Sequence, residues 1–243
     1  MKTQKLATLT AAAAVATTAV LGFTGAAQAY SFNSSGISFS KNTKVTFTMG
    51  RSHGSFISSL GIYEVNGGTP AKVHDLFWET KKSDNGRANG WMGTFGNTLT
   101  SATGNAVVTF TFLANKVYSL GLTSYKQIGN RPMELVGTVF STTSLNGGFG
   151  QGAVFSSTGT DGVTGDGNFF SDYASNQDVN PAEFTDLTKG AAISFDDGGN
   201  GADKDYNDFT FTAAVPEPLT MGGMLLGAAG MAIARKRRNN NIA

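Results

Sequence analysis

Hydrophobic and polar residues alternate with a period of two in several short stretches of this chain, the pattern expected of strands with one buried and one wet face. Lys44 to Met49 shows it most cleanly, with Val45, Phe47 and Met49 on one side and Lys44, Thr46 and Thr48 on the other. Asn105 to Leu113 and Phe209 to Thr212 read the same way. Phe56–Val65, Val73–Glu79, Val117–Leu122, Met133–Ser141 and Ala191–Phe195 are further candidates. No stretch between residues 30 and 214 keeps helical spacing beyond about two turns. Asn180-Pro181 ahead of Glu183 can cap one short helical turn. The runs Asn66-Gly67-Gly68 and Asn146-Gly147-Gly148 punctuate the strands as turns. The prediction is an all-β domain, an antiparallel β-sandwich or jelly roll. Its glycine-rich residues 144–168 are expected to form long loops at one end.

The two ends follow a different pattern. Residues 1–29 carry Lys2 and Lys5, an apolar run from Leu6 to about Gly22, and then Ala27-Gln28-Ala29. A positive start, an apolar stretch and small residues at Ala27 and Ala29 make a secretory signal peptide, with Tyr30 as the mature start. An uncleaved signal helix acting as a membrane anchor is the alternative. At the other end, residues 215–239 run Val215-Pro216-Glu217-Pro218, an uncharged hydrophobic helix over 219–234, and Arg235-Lys236-Arg237-Arg238. Sixteen residues are short for a span that usually takes about 20. The basic cluster would stop translocation and stay cytoplasmic, while the prolines keep the outer segment extended and open to a protease.

In that order, these residues resemble the PEP-CTERM sorting tail, also called the ice-binding protein C-terminal motif. The resemblance implies recognition and cutting by an exosortase near Pro216, Glu217 and Pro218. It implies a bacterial host that makes exopolysaccharide, and it bears on address rather than activity. A permanent single-pass anchor is the other reading, with Gly223 and Gly227 as a helix-pairing face.

Composition narrows the middle of the chain. Residues 30–214 hold 12 basic and 16 acidic side chains, a net charge of −4, and 11 of the acids fall after residue 140. A nucleic acid needs clustered Lys and Arg on one face, so nucleic acid is discarded as a partner. Glycine fills 26 of these 185 positions, about twice the usual share of roughly 7%, which fits frequent turns between short strands. There is no cysteine, so burial, hydrogen bonds or a metal must hold the fold together in an oxidising compartment.

The acid is densest between the last two strand candidates. Asp196, Asp197, Asp203, Asp205 and Asp208 fall within thirteen residues, offset only by Lys204. Like charges this close repel unless water or a cation screens them. Calcium, which takes six to eight oxygens from Asp, Asn, carbonyls and water, suits the set once Asn207 is added. The spacing is not that of an EF-hand: Asp208 stands where that loop needs glycine, and Ala214 where it needs a bidentate Glu. Asx-turns in a solvated loop are the competing explanation. A second set, Asp161, Asp166, Asn168 and Asp172, could complete the site or simply line a flexible loop.

Phe195-Asp196-Asp197 followed by Asp203-Lys204-Asp205-Tyr206-Asn207-Asp208 resembles the domain of unknown function DUF4114, most specifically over 191–212. Gly61-Ile62-Tyr63-Glu64 and Asn168-Phe169-Phe170-Ser171-Asp172 are similar to its other recurring stretches. The resemblance implies a β-sandwich with a calcium site and no established activity.

Other chemistry is thin. His53 and His74 stand alone, without Glu or Cys at metal-ligand spacing, so no zinc site is expected. No Gly-x-Ser-x-Gly nucleophile elbow occurs, and no acid pair is marked for glycoside cleavage. Trp78 and Trp91 flank a polar stretch and could stack on sugar rings, although core or hairpin packing is the commoner role of such residues. The expectation is an exported, non-catalytic protein of the cell envelope or extracellular matrix, structural or adhesive and stiffened by calcium. Signal peptidase and exosortase would process it, and it would contact the inner membrane in transit. The alternative is a carbohydrate-binding module for exopolysaccharide.

Overall fold

The computed structural model describes residues 30–54, 56–81, 93–157, 187–188, 190–198 and 206–216. They form thirteen strands and two short 3-10 turns. The strands are β1 (Tyr30–Asn33), β2 (Gly36–Phe39), β3 (Thr43–Ser52), β4 (Ile57–Asn66), β5 (Thr69–Glu79), β6 (Gly93–Thr94) and β7 (Leu99–Ser101). They continue with β8 (Val107–Phe112), β9 (Val117–Lys126), β10 (Glu134–Phe140), β11 (Ala153–Ser157), β12 (Ala191–Phe195) and β13 (Phe209–Ala214). The all-β expectation holds, as two antiparallel sheets. One runs β1-β2-β9-β4-β5-β7 with β10 also on β9, and the other runs β11-β12-β13-β3-β6 with β8 also on β3. The signal and tail segments expected to be helical lie outside the described residues. No helix among the described residues is long and apolar enough to cross a membrane.

The alternation in β3 is realised as read: Val45 and Phe47 are fully buried and Met49 nearly so, while Lys44, Thr48 and Gly50 face solvent. The buried sides of the two sheets meet in one shared core. Phe39 of β2 lies 5.2 Å from Phe112 of β8, Phe112 lies 5.0 Å from Tyr118 of β9, and Phe32 of β1 meets Phe155 of β11 edge to face at 5.9 Å. Burying each such ring contributes roughly 1.5–3 kcal/mol, so these pairs hold the two layers together.

The turn expected at Asn66-Gly67-Gly68 closes the β4–β5 hairpin, whose ladder pairs Asn66 with Thr69. Both glycines take positive φ, 58° and 84°, as a type I′ turn requires. Asn146-Gly147-Gly148 does not close a hairpin. Asn146 separates the 3-10 turns Thr143–Leu145 and Gly147–Phe149, and both glycines belong to the second. There the Asn146 amide donates to Phe140 O and Gly150 O, and its oxygen accepts from Phe140 N.

Residues 144–168 are not all loop, which corrects the sequence expectation. Ala153–Ser157 pairs along its length with β12, from Ala153 opposite Phe195 to Ser157 opposite Ala191. Glycine on either side dilutes the apolar signal of Val154 and Phe155, and the strand forms because β12 supplies an edge and Phe32 a partner for Phe155. β5 begins four residues before the expected start and β9 runs four residues past the expected end. In both cases pairing with β4 carries the strand beyond its local pattern.

Candidate metal centre

The acidic residues gather at the mouth of the β12–β13 hairpin. Its ladder ends with Phe195 opposite Phe209, so the next residues along, Asp196 and Asp208, emerge side by side where the loop begins and ends. Asp197 follows at once. Asp196, Asp197 and Asp208 each place a carboxylate oxygen within 4.8 Å of the others. Asp196 and Asp197 are 1% and 5% exposed, and Asp208 is half-buried.

Backbone amides set the orientation of these side chains. Asp208 Oδ2 accepts from Asp197 N at 2.7 Å, and Asp196 Oδ1 accepts from Gly198 N at 2.7 Å. The second bond is an Asx-turn, so one element of the competing reading is present within the cluster itself. Tyr206 anchors the returning strand of the loop. It is fully buried, has φ of 52°, and holds its hydroxyl 3.4 Å from Gln151 O.

A third strand closes the site. Phe209 pairs with Ser52 at the end of β3, and His53 N donates to Asp208 O at 3.0 Å. Gly54 comes next, and a Cβ built there would lie 2.7 Å from Asp197 Oδ2 and 2.8 Å from Asp208 Oδ1. Two carboxylate oxygens from residues eleven apart therefore converge over one α-carbon, which only glycine permits. Lys81 Nζ donates to Gly54 O at 2.7 Å and pairs with Glu79 at 3.1 Å, both side chains being buried. Glu79 also accepts from Ser52 Oγ, and from Ser58 N at 2.8 Å. Burial pushes the Glu79 carboxyl above the usual carboxylate range, against the opposing pull of Lys81 and these two donors.

Of the residues expected to bind metal, Asp196, Asp197 and Asp208 are brought together, and Asn207 is half-buried next to Asp208. Asp203 and Asp205 lie outside the described residues, as do Trp91 and the second acidic set at 161–172. So do the processing positions Ala27, Ala29, Glu217, Pro218, Arg235, Lys236, Arg237 and Arg238; Pro216 is exposed at the end of the described chain. Trp78 is half-buried on β5. His53 follows the end of β3 in one sheet, whereas His74 lies on β5 of the other and packs against Phe110 at 5.3 Å. Sequence reading did not find Gly54, Glu79 or Lys81. Their only local trace is the alternate spacing of Glu79 and Lys81, which puts both on one side of an extended chain.

The residues present fit a hard cation. Their donors are all carboxylate oxygens, the atoms calcium prefers, and three of them within one coordination diameter repel one another unless positive charge or a proton intervenes. No protein-family model, no curated protein and no solved structure matches this chain.

Proposed function

We propose that the protein is an exported, non-catalytic component of the cell envelope or extracellular matrix. In this reading it is a β-sandwich stiffened by calcium at the mouth of the β12–β13 hairpin. The observation that carries it is the clustering of Asp196, Asp197 and Asp208, the last two converging over Gly54. Asn207, Asp203 and Asp205 lie between Asp197 and Asp208 in sequence and would supply further oxygens. Bound calcium would contribute the positive charge that lets three carboxylates share one site. The chain's own residues do the rest: the ladder aligns Asp196 with Asp208, amides turn the carboxylates inward, and Lys81 fixes the strand beneath them. Export and sorting rest on the charge and hydropathy pattern of the two ends, with signal peptidase and exosortase as processing enzymes. Nothing in this role calls for catalysis.

Thermal melting in EDTA and in calcium tests the site. At one hundred times its Kd a ligand that binds only the folded state adds about 2.7 kcal/mol, worth roughly 5–10 °C for a domain of this size. Asp197→Asn should melt higher than the parent in EDTA, because repulsion is relieved, and should lose most of the gain with calcium. No gain in the parent at millimolar calcium rejects the site. Intact mass of the protein recovered from cells and from medium tests the address. Loss of residues 1–29 and of the basic tail is expected, and a full-length cytosolic product rejects export.

A further inference from the structure

The outward side of the β5–β4–β9 layer carries an open cleft of about 430 Å³ on the sheet opposite the acidic hairpin mouth, its buried end at Glu79 meeting the Lys81 that bonds Gly54 O. Strand register explains why it exists. Leu60 and Ile62 of β4 and Leu120 and Leu122 of β9 point into the core, so Ser59 and Gly61 point the other way. Ser59 pairs with Trp78 on one side and Thr123 on the other, and Ile57 pairs with Tyr125. Ser59, small on the central strand, leaves a hollow beside the Trp78 ring, and Ile57 with Tyr125 opposite it bounds the same hollow. Trp78 and Tyr125, both half-buried, flank the hollow, and exposed Met133 extends one wall.

The polar groups are as specific as the rings. Lys72 and Asp75 line the cleft as a 2.9 Å ion pair with side chains 44% and 48% exposed. Glu79, at the buried end, is held by Lys81. Among the described residues each charge in the cleft thus has a partner of opposite sign, which favours a neutral ligand. It offers two aromatic surfaces and a donor and acceptor side by side. The floor strand β4 is already paired along both edges, so it offers no free backbone for strand addition. A ligand lying over this floor is read by side chains. Sugar rings match: their C–H faces pack on the negative faces of aromatic rings while their hydroxyls both donate and accept.

We propose that this cleft is a binding site for a neutral carbohydrate chain, with Trp78 and Tyr125 as stacking surfaces and Lys72 and Asp75 as hydroxyl partners. It goes beyond the structural role above and does not depend on calcium.

The test is calorimetric titration and saturation-transfer NMR on the full chain with cellohexaose, mannohexaose, xylohexaose and a polyanionic oligogalacturonate, each in calcium and in EDTA. Saturable binding of at least one neutral hexasaccharide is expected in both buffers. Trp78→Ala and Tyr125→Ala should each weaken it about tenfold, the loss of one good stacking contact. Lys72→Ala changes a half-exposed side chain and leaves the fold intact, so it should weaken binding with unchanged melting and circular dichroism. Absence of binding by every neutral probe at about 10 mM, a range already near the weakest useful affinity, overturns the proposal. So does binding that survives both aromatic substitutions, or binding of the polyanion alone. Loss of binding in EDTA only would also overturn it, since it would place the sugar on the metal. A negative calcium melt leaves these outcomes unchanged, so the two readings fail separately.

Discussion

Gly54 and Asp197 approach so closely that a Cβ added to Gly54 would lie 2.7 Å from Asp197 Oδ2. They are 143 positions apart in sequence, and β3, β13 and β12 lying side by side bring them together. Replacing Gly54 with alanine therefore has to move a buried carboxylate or the end of β3. Gly54→Ala should cost about 1–3 kcal/mol by overpacking, and it should weaken calcium binding by disturbing Asp197 and Asp208 together. Urea denaturation and calcium titration of the variant check both effects. A stable variant with full calcium response would show that the end of β3 is free to yield.

Lys81 is the buried post under that strand, bonded to Gly54 O and paired with Glu79. Lys81→Met removes the positive partner of a buried carboxylate, which typically costs about 3–5 kcal/mol. Glu79→Gln added to Lys81→Met removes the orphaned charge and should recover part of the loss. Denaturant midpoints of the single and double variants make the comparison. A double variant less stable than Lys81→Met would show that Glu79 earns its place through Ser52 and Ser58 alone.

Glu79 also gives the protein a pH signature. Burial raises its folded carboxyl above the value it has in the unfolded chain. Between those two values the folded state binds the proton more readily, so stability from this group is complete below the ordinary glutamate range. It is lost as pH rises through the raised folded value. The stability difference between the parent and Glu79→Gln, measured by urea denaturation in EDTA across that range, should therefore move against the parent as pH rises. A difference that is flat, or that moves the other way, would mean that Lys81, Ser52 and Ser58 outweigh burial.

The sequence by itself settled what depends on near neighbours. The alternation of Val45, Phe47 and Met49 fixed which side of β3 is buried, because side chains of an extended chain must point alternately to opposite faces. Gly67-Gly68 fixed a hairpin, because a two-residue turn needs positive φ that glycine supplies at little cost. Asp196, Asp197 and Asp208 were legible within one acidic stretch because they fall between two strand patterns thirteen residues apart, and pairing of those strands leaves the flanking residues adjacent.

The tertiary structure decided what depends on which strands become neighbours. Gly54 reaches the acidic cluster only because β3 pairs with β13. Glu79 and Lys81 form a buried pair only because β4, β5 and the end of β3 close around them. Ala153–Ser157 becomes a strand only because β12 offers it an edge. The cleft beside Trp78 forms where β4 brings Ser59 between β5 and β9. Strand order across a sheet is set by the sum of many weak side-chain contacts between distant segments, and no local pattern of residues encodes that sum.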